Sequence, residues 1–102
     1  MPAKRALIMQ PNDNVATALE EIQAGDDVAA TVGKESRTIH AAEAIPFGFK
    51  IALQDIPAGG TIRKYGETIG IAGVPIARGA MVHIHNLEGT RARGDLEQRA
   101  GP

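Results

Sequence analysis

Apolar positions in this chain fall into short runs broken by Gly, Pro and charged residues: RALIM at 5–9, DVAATV at 27–32, TIHAA at 38–42, KIAL at 50–53, TIRKY at 61–65, TIGIA at 68–72 and AMVHIH at 80–85. Short runs bounded by turn formers predict strands. A recurring phrase, Ile-x-x-Gly-x-x-(Ile/Val), leads into several of them: Ile22–Gly25–Val28, Ile45–Gly48–Ile51, Ile56–Gly59–Ile62 and Ile76–Gly79–Val82. In each copy the first apolar residue anchors the chain and Gly supplies a positive φ or a close backbone approach. The last apolar residue opens the next extended segment. The copies are unevenly spaced, which excludes a solenoid of fixed period. GKE at 33–35 and YGE at 65–67 predict hairpin turns. NDNVATALEEI differs: Asn12 or Asp13 offers an N-cap, and Val15, Ala18, Leu19 and Ile22 recur at helical spacing. The pattern therefore predicts a mainly β, loop-rich domain over 1–88 with one short helix near its N-terminus. Residues 89–102, charged and nearly free of large apolar groups, are expected to form a flexible tail.

At 102 residues the chain is one domain by length and should bury about 65% of the surface its unfolded form exposes. Aromatic residues make up 3% and Trp is absent, so the core must be small and aliphatic. A formal net charge of −1 leaves no electrostatic footprint for nucleic acid or an anionic membrane. Without cysteine there is no disulfide framework, thiol nucleophile or thiolate metal site, and a cytoplasmic setting fits. The opening MPAKRALIMQP carries too short an apolar run for a secretory core or a membrane span.

Candidate chemistry concentrates in GAMVHIHN at 79–86. If the run is extended, Met81, His83 and His85 point one way and Val82 and Ile84 the other. Same-side neighbours on a strand lie about 6.5–7 Å apart, within reach of one ligand or metal ion. Two imidazoles alone leave a divalent ion short of donors unless a partner completes the set. Lys50, Arg63 and Lys64 are candidate carboxylate clamps. Asn86 suits the turn that ends the strand or a substrate contact, and His40 reads as a surface strand histidine.

Three phrases, PNDNVATALEEIQAGDDV, IPFGFKIALQDIPAGGTIRKYGETIGIA and GAMVHIHNLEGTRARGD, together resemble the N-terminal or small-subunit module of the altronate/galactarate dehydratase family, an antifreeze-like (SAF) domain of β-clip architecture. The resemblance covers roughly residues 7–95. The small subunit of sulfolactate sulfo-lyase is similar, so the module does not fix the leaving group. Where family members commonly read Gly-His-Lys, this chain has Gly48-Phe49-Lys50, and Gln10 replaces a polar ring sometimes found before the Asp13-Asn14-Val15 phrase.

What the resemblance implies is a small subunit of a metal-dependent hydro-lyase acting on sugar acids such as altronate or galactarate, inactive without its large subunit. The divalent metal, iron or manganese, is expected to be held mainly by that subunit, with none in this chain alone. Such an elimination needs a base for the proton beside a carboxylate, a cation for the developing enolate and an acid for the leaving hydroxyl. His83 and His85 are the expected catalytic pair at the subunit interface, with Lys50 and Asn86 as substrate contacts. The alternatives are a non-catalytic carbohydrate- or acid-binding module and a subunit of a sulfo-lyase-like enzyme. Exposed strand edges also allow a homo-oligomer.

Overall fold

A computed structural model describes residues 3–82 and, by backbone alone, 87 and 88. Its strands are β1 (Lys4–Leu7), β2 (Val15–Ala18), β3 (Asp27–Val32), β4 (Glu35–His40), β5 (Lys50–Ala52), β6 (Thr61–Lys64), β7 (Glu67–Ala72), β8 (Met81–Val82) and β9 (Leu87–Glu88). Six form one sheet in the order β4-β3-β1-β2-β5-β8, and three form a second in the order β6-β7-β9. Within the large sheet only β1 and β3 run parallel. The predicted mainly β class is observed, with strands close to the positions expected.

The helix expected over 12–22 is not formed, and β2 occupies its centre. Val15, Ala16 and Ala18 are all buried, because β2 lies inside the sheet between β1 and β5 and both of its faces are covered. A strand buried on both faces has no polar alternation, and its run of apolar residues mimics a helical stripe. The β-branched pair Val15 and Thr17 favours the extended form. Asp13, read as a helix cap, instead accepts a hydrogen bond from the backbone N–H of Gln10 through Oδ2 at 2.9 Å.

All four copies of the glycine phrase do what their spacing implies. Gly25, Gly48, Gly59 and Gly79 have φ between 85° and 90°, a region closed to most residues with a Cβ. The copies pair off. Ile22 and Ile45 exchange two backbone hydrogen bonds at 2.9 Å, and Ile56 and Ile76 exchange two at 2.8 Å. Each pair closes a loop around one hairpin, β3–β4 in the first unit and β6–β7 in the second. Further bonds match position by position: Gly25 N–H to Ala41 O and Gly59 N–H to Ala72 O, then Gly48 N–H to Ala18 O and Gly79 N–H to Ala52 O. The fold is thus one structural unit used twice.

Each unit has its own core. The first contains Ile22, Val28, Ile39, Ile45 and Ile51 with Ala6, Ile8 and Ala16. The second contains Ile56, Ile62, Ile76 and Val82 with Val15, Ala52 and Ala72. Strands β2 and β5 give one face to each core: Ala16 and Ile51 face the first, Val15 and Ala52 the second. Both expected hairpins form. Gly33 opens the turn between β3 and β4 at φ 57°, and Tyr65 and Gly66 close β6–β7 at φ 60° and 74°. Two consecutive positive φ values identify the second turn as type I′. The expected tail at 89–102 lies outside the described residues. No helix among them is long and apolar enough to cross a membrane.

Candidate functional site

The second hairpin is fixed to the body of the domain by two buried polar residues, Asp13 and Asn14, 3% and 2% exposed. The Asp13 carboxylate accepts backbone N–H groups from Tyr65 at 3.0 Å and Gly66 at 2.8 Å in addition to Gln10. Asn14 accepts the Arg63 N–H at 2.7 Å and donates through Nδ2 to the Thr61 carbonyl at 2.8 Å. Buried polar groups persist where every capacity is matched. Here they mimic a strand partner for β6. These two residues carry the local architecture of the site; from the sequence, Asp13 reads as a helix cap and Asn14 has no assigned role. The signal present was adjacency: two short polar side chains directly before an apolar strand.

Lys50 lies on β5, with Thr17 opposite it on β2 and Val82 opposite it on β8. Residues opposite each other in a ladder share a face, so Thr17, Lys50 and Val82 form one row. Val15 and Ala52, two positions along their strands, continue that face into the second core. The Lys50 stem therefore packs at the core's rim. Burial holds its pKa below the ordinary lysine range, and the positive charge of Lys64 pushes it the same way.

Arg63 and Lys64 have different duties. The Arg63 guanidinium donates to the Asn12 carbonyl at 2.9 Å and to the Thr61 hydroxyl at 3.4 Å, which commits it to the fold rather than to the clamp expected of it. Lys64 Nζ sits 5.1 Å from the centre of the Tyr65 ring. His83, His85 and Asn86 lie outside the described residues. Their flanks are placed: Val82 beside Lys50 in the large sheet, and Leu87–Glu88 against β7 in the small one.

His40 is on the surface as expected, 3.3 Å from Asp27 Oδ1, with both side chains more than two-thirds exposed. Together with Thr38, Ala42 and Arg78 they line a cleft of about 440 Å³ at the edge strand. The Arg78 guanidinium is occupied by the Thr38 carbonyl at 3.1 Å. No three His, Asp or Glu side chains among the described residues converge as metal donors, so these residues do not fit a metal centre by themselves.

The model of the altronate/galactarate dehydratase SAF domain matches residues 4–90. The chain is 39% identical over 87 residues to altronate dehydratase of Escherichia coli (strain K12), covering 84% of this chain and 16% of that protein. It is 37% identical over 85 residues to altronate dehydratase of Bacillus subtilis (strain 168), covering 83% and 16%. It is also 33% identical over 75 residues to (2R)-sulfolactate sulfo-lyase subunit alpha of Chromohalobacter salexigens, covering 72% of this chain and 80% of that subunit. The chain thus spans about one-sixth of the length of the dehydratases and most of the length of the sulfo-lyase subunit. With a match running from β1 through β9, the chain belongs to the altronate/galactarate dehydratase SAF-domain family.

Proposed function

We propose that this β-clip domain is the small subunit of a cytoplasmic hydro-lyase for sugar acids of the altronate or galactarate kind, inactive until joined to a large catalytic subunit. The observation that carries this reading is the pairing of two coverages. The same module matches 16% of the length of altronate dehydratases and 80% of a separately named lyase subunit. A module found in both settings serves an elimination carried out mostly elsewhere.

In this reading the domain is a rigid mount. The two glycine-turn units hold β5 and β8 side by side, and the strand that carries Lys50 leads toward the partner. Lys50 and Asn86 contact the substrate, and His83 and His85 exchange protons with it at the interface. A divalent metal, iron or manganese, belongs to the large subunit, where it supplies the Lewis acid for the enolate. What this chain's residues do is bind the acid, orient it and move a proton. Phe49, in place of the family's histidine, leaves that task to the His83/His85 pair.

A second reading is sulfite elimination, favoured by the near-complete overlap with the sulfo-lyase subunit. Both are tested by co-expressing the chain with a candidate large subunit, sought first in an adjacent reading frame, and assaying altronate, galactarate and sulfolactate. Turnover that requires both chains and falls at least about a hundredfold in the His83→Ala/His85→Ala variant is expected. A complex that never forms, with acid binding by the small chain alone, would instead indicate a non-catalytic acid-binding module.

A further inference from the structure

Three features meet at the rim of the second core. The Thr17 hydroxyl oxygen is shielded from solvent and has no hydrogen-bond partner among the described residues. A buried hydroxyl left unpaired loses its hydrogen bonds to water with nothing in return, so native proteins keep few of them. Directly across the ladder stands Lys50. The ion pairs among the described residues join Lys4 to Asp26, Arg5 to Glu20, Arg37 to Glu35 and His40 to Asp27, leaving Lys50 without a counter-charge.

The second cation is Lys64. It lies two positions beyond Ile62 on β6; the register slip between Ile62 and Arg63 leaves the extra residue, Ile69, on β7, so β6 keeps its alternation and Lys64 points to the same side as Ile62. That side is the second core, to which Ile62, Val15 and Ala52 all belong. Lys64 is close enough to Lys50 for its charge to act on it. The hairpin that carries Lys64 cannot swing away, because Asp13 and Asn14 hold its two ends. Two like charges kept together at a partly desolvated rim, with no carboxylate among the described residues paired to either, form an unfavourable arrangement until an anion neutralises both.

We propose that Thr17, Lys50 and Lys64 form a subsite for the carboxylate end of a hydroxy-acid. The two ammonium groups neutralise the carboxylate, and the Thr17 hydroxyl pairs with the hydroxyl on the adjoining carbon. The subsite itself stands on this geometry, and only the choice of a hydroxy-acid rests on the function proposed above. The same chemistry extends the role of Lys50 to a set of three residues and gives the buried hydroxyl a purpose.

The test is titration of the full 102-residue chain, labelled with ¹⁵N, with tartrate and with succinate, which lacks the hydroxyls. Saturable shifts centred on Thr17, Lys50 and Lys64 are expected at roughly millimolar tartrate. Lys50→Met and Lys64→Met should each weaken binding about tenfold or more, while Lys50→Arg and the distant Lys34→Met should retain it. Thr17→Val should weaken tartrate several-fold and leave succinate unchanged. Dispersed spectra for each variant establish that it is folded. The proposal is overturned if the shifts match those from chloride at equal ionic strength, persist in both lysine-to-methionine variants, or show tartrate and succinate equally affected by Thr17→Val. Failure of elimination by the two-chain enzyme would sink the dehydratase reading and leave this titration interpretable.

Discussion

Gly79 and Gly48 occupy the same place in two copies of one turn, with φ of 87° and 88°, yet their surroundings differ. A Cβ on Gly48 meets open space, whereas one on Gly79 would overlap the carbonyl oxygen of His40. Gly79 is needed for both its backbone angle and its lack of bulk. Gly48→Ala should therefore cost about 1–2 kcal/mol, the penalty for the left-handed region alone. Gly79→Ala should cost clearly more, about 3 kcal/mol or above, because backbone must shift. Urea unfolding of the two variants checks the difference. The repeated phrase made the role of both glycines legible, since a positive φ is a local demand. The steric demand at Gly79 was not legible, because it comes from β4, nearly forty residues away in the chain.

Lys50 gives a second prediction at this scale, one of pH dependence. Its folded-state pKa lies below the ordinary lysine value of about 10.4, so the unfolded chain holds the proton more tightly. The charged lysine then costs stability at neutral pH, and the cost fades as pH rises through the folded pKa toward that of the unfolded chain. Lys50→Met should accordingly stabilise the domain at pH 7. Its advantage should shrink as pH climbs toward the ordinary lysine value of about 10.4 and be gone above it. Denaturation midpoints of both proteins across that range provide the measurement.

Among the elements, the second hairpin shows a mismatch between residue and turn. Type I′ turns favour Asn-Gly, and this chain has Tyr65-Gly66 with Tyr65 at φ 60°. Tyr65→Asn should relieve the strain and raise stability by about 0.5–1 kcal/mol despite losing the ring contact with Lys64. A shift of a few degrees in Tm reports it. The sequence revealed this hairpin, since Gly66 sits between two short apolar runs, but it misassigned β2. The periodicity of Val15, Ala18, Leu19 and Ile22 was real but not helical: Val15 and Ala18 lie on opposite faces of β2, Ile22 anchors the turn that follows, and Leu19 is exposed. Nor could local patterning show that Asp13 binds a turn fifty residues onward; the residue types were visible and their partners were not. Of the candidate site, the placement of Lys50 on a strand was legible, the diversion of Arg63 into the fold was not, and His83, His85 and Asn86 lie outside the described residues.

At the scale of the whole molecule, two small cores share β2 and β5, each strand lending one face to each. Neither core is large, and neither unit keeps its sheet intact without the other. Unfolding should thus be one cooperative transition. Ile22→Ala in the first core and Ile62→Ala in the second should each cost about 2–5 kcal/mol. Either should raise amide hydrogen exchange in both units together. Slow exchange that survives in one unit while the other is lost would show independent lobes.

The two hairpins built on the duplicated unit end differently. The tip at Gly66 rests against Gln10 and Asp13, while a Cβ at Gly33, on the first tip, would meet nothing. One copy has been recruited into the body and the other left as a free handle. A short Gly-Ser insert between Gly33 and Lys34 should therefore be accepted with the melting curve barely changed, whereas the same insert between Tyr65 and Gly66 should unseat a buried carboxylate. The free tip is the place to attach a dye or an affinity tag that leaves the body of the domain undisturbed.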